Sequence, residues 1–156
     1  MAWQLANTLT DHGSVARGIC AVENEHLTHI VERKTIIRQG DGGAFTEDGG
    51  ATYTPLAGNT PVSMNFWGFG PEMLPLLDRN FREHLQAGME ADPLKYEDLL
   101  PNAVQAAMAR GDASIRVLRS PDTWFGVTYK ADKPQVVASI AACKARGLYP
   151  DPLWQA

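Results

Sequence analysis

Polar and apolar positions divide the chain near residue 70. A glycine-punctuated stretch of short β-compatible runs comes first, and a stretch with helical periodicity follows. Residues 17–22 and 27–32 are β-compatible runs separated by Glu23-Asn24-Glu25-His26, a polar spacer of hairpin length, so they are expected to pair antiparallel. Residues 35–38 and 51–55 flank Gln39-Gly40-Asp41-Gly42-Gly43, with Asp48-Gly49-Gly50 following. Glycines so spaced predict mobile turns, and no Lys-Ser or Lys-Thr follows to make a phosphate-binding loop. Residues 62–69 form a continuous apolar run of strand length, which predicts a central strand covered on both faces.

Pro71 suits the first turn of a helix, where a missing N–H costs nothing. Leu74, Leu77, Phe81 and Leu85 would be its buried stripe and Gly88 its end. A second helix starts at Pro93 or Pro101 and runs to Arg110, with Val104 and Met108 four apart and Gly111 as its stop. Residues 114–118 alternate as a strand does. A last helix has Asp132 as its cap, Gln135 three residues on, Val136, Val137, Ile140 and Ala141 on one face, and Gly147 at its end. Two prolines keep residues 149–154 from continuing it, and the aromatic ends of that tail predict a terminus pinned to the body. There is no internal repeat, and the whole reads as one mixed α/β or α+β domain over residues 1–156.

With 44% hydrophobic and 21% charged residues, a chain of 156 can bury a sizeable core and lacks the signature of disorder. Its net charge of -4 argues against nucleic acid as a partner. No run approaches the roughly 18 apolar residues of a membrane span, and the N-terminus has no signal-like core, so a cytoplasmic protein without membrane association is expected. Cys20 and Cys143 lie far apart and read as small buried hydrophobes. His12, His26, His29 and His84 lack metal-ligand spacing and read as surface residues, and no serine or cysteine sits in a nucleophile elbow. Glu32-Arg33-Lys34 ends a strand, where such a cluster is either a solvated edge or part of a pocket. Trp67 and Trp124, in apolar surroundings, serve either a core or a stacking surface.

Four stretches, in this order, carry a resemblance: Gly13-Ser14-Val15-Ala16-Arg17-Gly18, Ile30-Val31-Glu32-Arg33-Lys34, residues 62–69, and Trp124-Phe125-Gly126-Val127-Thr128-Tyr129. Together they resemble the second half of the nucleotidyltransferase-like proteins that make nucleotide sugars. The similarity runs from Gln4 through Trp154 and is most specific from Trp124 to the end. It implies the C-terminal half of a Rossmann-like three-layer α/β fold, with a mixed sheet and helices. The parent reaction joins a nucleoside triphosphate to a sugar 1-phosphate and releases pyrophosphate, assisted by magnesium. The family's other half carries a Gly-x-Gly-Thr-Arg loop and a metal-binding aspartate, neither of which occurs here. The chain alone is therefore expected to be inactive, to hold no metal, and to bind a sugar phosphate beside a complementary nucleotide-binding polypeptide.

The resemblance also implies where the sugar would lie. Gly18 takes the place of a glycine that approaches the sugar closely, or else serves a bulge. Glu32-Arg33-Lys34 corresponds to the family's Glu-Lys-Pro element, whose carboxylate binds sugar hydroxyls and whose lysine meets the phosphate. The proline is absent, and either Arg33 or Lys34 would be the phosphate contact. Asn65 would offer a donor and an acceptor, and Trp67 or Trp124 a stacking face. The family's Trp-Leu-Asp-Thr-Gly segment supplies a second metal-binding aspartate, which Trp124-Phe125-Gly126-Val127-Thr128 lacks. A competing expectation is a noncatalytic binding or assembly module, in which the exposed edge of a half-sheet favours a homodimer.

Overall fold

The computed structural model describes residues 1–127, 129–150, 152 and 154. Thr128, Asp151 and Leu153 of the sequence motifs lie outside the described residues. The chain opens with β1 (Ala2–Gln4) and a 3₁₀ turn (Leu5–Thr8), then forms β2 (Ser14–Glu23), β3 (His26–Gln39), β4 (Gly42–Phe45), β5 (Thr54–Leu56) and β6 (Pro61–Ser63). Helices α1 (Met73–Ala91) and α2 (Leu100–Ala109) follow, then β7 (Arg119–Ser120), a second 3₁₀ turn (Lys130–Asp132) and α3 (Lys133–Ala145). The seven strands make one mixed sheet in the order β5-β4-β3-β2-β6-β1-β7. Only β1 and β7 run parallel. Among the described residues the domain is thus α/β, one mixed sheet with three α-helices, of which α1 and α2 pack on it.

The long β2–β3 hairpin is its frame, pairing antiparallel as the polar spacer predicts. Asn24 (φ 48°) and Glu25 (φ 64°) both take the left-handed conformation, the tight two-residue turn whose twist matches that of the strands. Alternation along the hairpin feeds two cores. On one face Cys20, Leu27 and Ile30 meet Met73 of α1 and Val104 and Ala107 of α2. On the other, Val15 and Ile36 meet Leu5 and Val62, with Phe45 and Leu56 at the margin. The segment leading to α3 is tied to this second side: Asp132 accepts from the Thr10 hydroxyl (2.9 Å) and the Tyr129 amide (2.7 Å).

Several elements depart from the sequence pattern. Residues 62–69 form no long strand: β6 stops at Ser63, and Asn65 turns left-handed (φ 57°), although the short β6 does lie inside the sheet. Gly42 and Gly43 are buried in β4 rather than in a mobile turn. In α1 the inward stripe is Met73, Leu76, Leu77 and Asn80. Leu74 is 66% exposed and Phe81 46% exposed, because the buried stripe is centred on a polar residue and only Leu77 is common to both faces. Helix α1 also runs past Gly88 to Ala91. Helix α2 begins at Leu100, so Pro101, not Pro93, opens it. Gly111 (φ 76°) and Gly147 (φ 75°) close their helices as expected.

Residues 114–118 form no named strand, but they pair with the sheet through the amides of Ala2, Leu27 and Val117 and an isolated antiparallel bridge between His26 and Arg116, and β7 begins at Arg119. In α3 Val137 is 60% exposed, while Val136 is half-buried and Cys143 buried. Of the aromatic ends expected to pack on the body, Tyr149 is 45% and Trp154 83% exposed. Both cysteines are buried and free, and all four histidines lie on the surface. Among the described residues, no helix is long and apolar enough to cross a membrane.

Candidate functional site

Three central strands bring three residues, two of them with side chains, to one sheet face. Gly18 on β2 stands directly opposite Glu32 on β3 and Ser63 on β6. The register irregularities fall between Val15 and Arg17 and between Ala21 and Val22, so Gly18 lies in regular ladder and serves no bulge. A Cβ at Gly18 would stand 3.0 Å from Ile30 Cδ1 and 3.3 Å from Glu32 Oε2. The missing side chain is therefore what lets the Ile30 methyl and the Glu32 carboxylate close over the strand.

Glu32 and Lys34, two apart on β3, share an open concavity of about 600 Å³ with Thr35, Thr46, Glu47 and Tyr53. Its far wall is a braced loop. The Asp48 carboxylate accepts from the Thr52 hydroxyl (2.6 Å), the Thr52 amide (3.0 Å) and the Thr46 hydroxyl (2.7 Å), and these bonds hold its carboxyl well below the usual range. Glu32 is half-buried. Burial pushes its carboxyl up, opposed by the charges of Arg17 and Lys34. On the same face burial pushes the Cys20 thiol up to about 11, which keeps it protonated and poorly nucleophilic.

Arg33, between Glu32 and Lys34, points to the opposite face, as strand alternation requires. Its guanidinium lies 4.2 Å above the Phe45 ring and pairs with the Glu47 carboxylate. Arg17 is likewise turned away from Gly18. It is buried, bonding the Thr8 hydroxyl (3.1 Å), the Thr8 carbonyl and the Ala16 carbonyl (2.7 Å), with its guanidinium 5.0 Å from the Trp124 ring centre. Trp124 therefore does not reach the concavity of Glu32. It lines a separate cleft of about 130 Å³ with Thr10, Arg38 and Asp132. Asn65 sits in the loop after β6, its amide donating to Ser63 Oγ (3.2 Å) and its Oδ1 accepting from Trp67 Nε1 (3.4 Å). Trp67 stacks on Phe69 and packs against the helix-side core.

Of the residues singled out in the sequence, Gly18, Glu32 and Lys34 come together; Asn65 lies in the loop after β6 and does not line the concavity, Arg33 meets it only through Glu47 at its rim, and Trp124 lies elsewhere. Thr46, Tyr53 and Ser63 escape a sequence reading because strand order alone brings them there. Only the run from Thr46 through Asp48 to Thr52, typical of side-chain-braced turns, hints at the loop. Among the described residues no three His, Cys, Asp or Glu side chains converge as metal ligands. No protein-family model matches the chain, and no curated protein matches it.

Proposed function

We propose that the chain binds a sugar 1-phosphate, as the acceptor half of a sugar-phosphate nucleotidyltransferase of Rossmann-like architecture. The observation that carries this reading is the pairing of one carboxylate, Glu32, with one ammonium, Lys34, in a single open concavity beside Gly18. The carboxylate accepts from two sugar hydroxyls, and the ammonium pairs with phosphate. Lys34 rather than Arg33 is the phosphate contact, because Arg33 is committed to Glu47 and Phe45. Arg33 neutralises Glu47 at the rim, a carboxylate that would otherwise repel the phosphate.

In the parent reaction the sugar phosphate oxygen attacks the α-phosphorus of a nucleoside triphosphate and pyrophosphate leaves. The 156 residues contribute positioning of the acceptor, and nucleotide and magnesium are held elsewhere. Calorimetric titration with several sugar 1-phosphates, and separately with nucleoside triphosphates, tests this. A sugar 1-phosphate should bind the chain, Glu32→Ala should abolish that binding, and triphosphate alone should give no saturable heat. Purified chain with triphosphate, magnesium and sugar phosphate should release no pyrophosphate. If no sugar 1-phosphate binds, the reading fails.

A noncatalytic assembly module is the second reading. It is favoured by the apolar side chains left on the surface, Val137 (60% exposed) and Leu148 (63% exposed) among them, and by the two-residue edge strand β7. It predicts a homodimer that ignores sugar phosphates.

A further inference from the structure

Among the described residues that line the concavity of Glu32 and Lys34, Tyr53 is the one aromatic. It follows the braced turn from Thr46 to Thr52 directly, and its side chain is exposed. We infer that the Tyr53 ring is the platform on which the ring of the acceptor sugar lies, so that the site selects a cyclic sugar 1-phosphate over an open-chain polyol phosphate. The inference rests on the reading of this concavity as a sugar-phosphate site and adds to it the residue that recognises the ring.

Glu32 and Lys34 cannot make that distinction. A carboxylate that accepts from hydroxyls and an ammonium that pairs with phosphate serve an open-chain polyol phosphate equally well. What sets a pyranose apart is a rigid ring with C–H bonds on its face, and the negative face of an aromatic ring is their complement. The two tryptophans with a stacking surface are used elsewhere: Trp67 stacks on Phe69, and Trp124 receives the Arg17 guanidinium. Tyr53, by contrast, is held ready beside the carboxylate and the ammonium. Gly50 has φ 98°, and its amide donates to Thr46 Oγ1 (2.9 Å). A Cβ at Gly50 would stand 3.3 Å from Tyr53 Oη and 3.9 Å from its Cε2 and Cζ, so the outer end of the ring rests against this glycine. The Asp48 carboxylate holds the residue just before the ring, through the Thr52 amide and hydroxyl. A tyrosine placed in this way offers a large contact surface and has few side-chain torsions to give up on binding.

The test is calorimetric titration of the full chain with the 1-phosphates of glucose, galactose and mannose, and with glycerol 3-phosphate, which keeps hydroxyls and phosphate but has no ring. The wild-type chain should bind at least one of the sugar phosphates about tenfold or more tightly than glycerol 3-phosphate. Tyr53→Ala should erase that preference by weakening the sugar phosphate about tenfold while leaving glycerol 3-phosphate within about twofold. Tyr53→Phe, which keeps the ring, should keep the preference. A loop merely loosened by Tyr53→Ala would weaken both kinds of ligand alike, and that result would overturn the inference. So would an undiminished preference in Tyr53→Ala, or a preference lost in Tyr53→Phe. In each of these cases sugar 1-phosphate still binds the wild-type chain and still depends on Glu32, so the reading of the site survives. A wild-type chain that binds no sugar 1-phosphate overturns both.

Discussion

Arg17 shows how a charge inside the sheet is kept. Its bonds to Thr8 and Ala16 and its stacking on Trp124 tie the first 3₁₀ turn and the 121–127 segment to β2. Arg17→Ala leaves the Thr8 carbonyl unpaired in the interior, and a loss of about 3 kcal/mol is expected in urea denaturation. Arg17→Lys should recover little of it, because an ammonium lacks the planar fork. Glu32 behaves in the opposite sense. Its carboxyl is raised above the ordinary 4.5 by burial, so its contribution to stability is complete below that value and is lost as the pH rises through the raised one. Ionised Glu32 therefore costs stability at neutral pH. Glu32→Gln should raise the neutral-pH stability by less than about 1 kcal/mol, since the carboxylate keeps half its contact with water, and the gain should fade below about pH 4.5 in parallel thermal melts. The same substitution should weaken sugar-phosphate binding, which a purely structural carboxylate would leave unchanged.

The elements differ in how plainly the chain announces them. The β2–β3 hairpin and the ends of α2 and α3 are legible because each rests on local chemistry: alternation, a polar two-residue turn, a glycine past the last helical turn. Glu25→Gly tests the turn directly. Glu25 holds φ at 64°, where a glycine is at ease, and it also pairs with Arg116 at 2.9 Å in a fully solvated bridge of little value. A gain of roughly 0.5 kcal/mol in the unfolding free energy is expected. Residues 62–69 mislead because apolar content measures burial rather than extension. Met64, Trp67 and Phe69 are partly buried as a loop that turns at Asn65, with Trp67 and Phe69 lying over the helix-side core. Helix α1 misleads for another reason: its inward face is centred on Asn80, a polar residue that no hydrophobic count selects. The candidate site was legible in its strand-borne part, Gly18 and Glu32 with Lys34. Its loop-borne part, Thr46 and Tyr53, depends on how β4 and β5 fold back against β3, which no local pattern encodes.

At the scale of the whole molecule the two sheet faces divide the labour. The helix-covered face carries Gly18, Glu32 and Ser63, and the other carries the Arg17 and Trp124 tie that holds the 121–127 segment. If the apolar residues left exposed on α3 and beyond serve assembly, light scattering at micromolar concentration should return twice the chain mass, and Val137→Glu should halve it. A sugar 1-phosphate held by Glu32 and Lys34 must perturb only one face. Chemical-shift mapping of the isotope-labelled chain during titration with a sugar 1-phosphate is the most direct measurement of that claim. The account predicts saturable shifts at Gly18, Glu32, Lys34 and Thr46, with the Arg17 Nε and Trp124 Nε1 protons unmoved. Shifts centred on Arg17 and Trp124, or none at any of these residues, would contradict it.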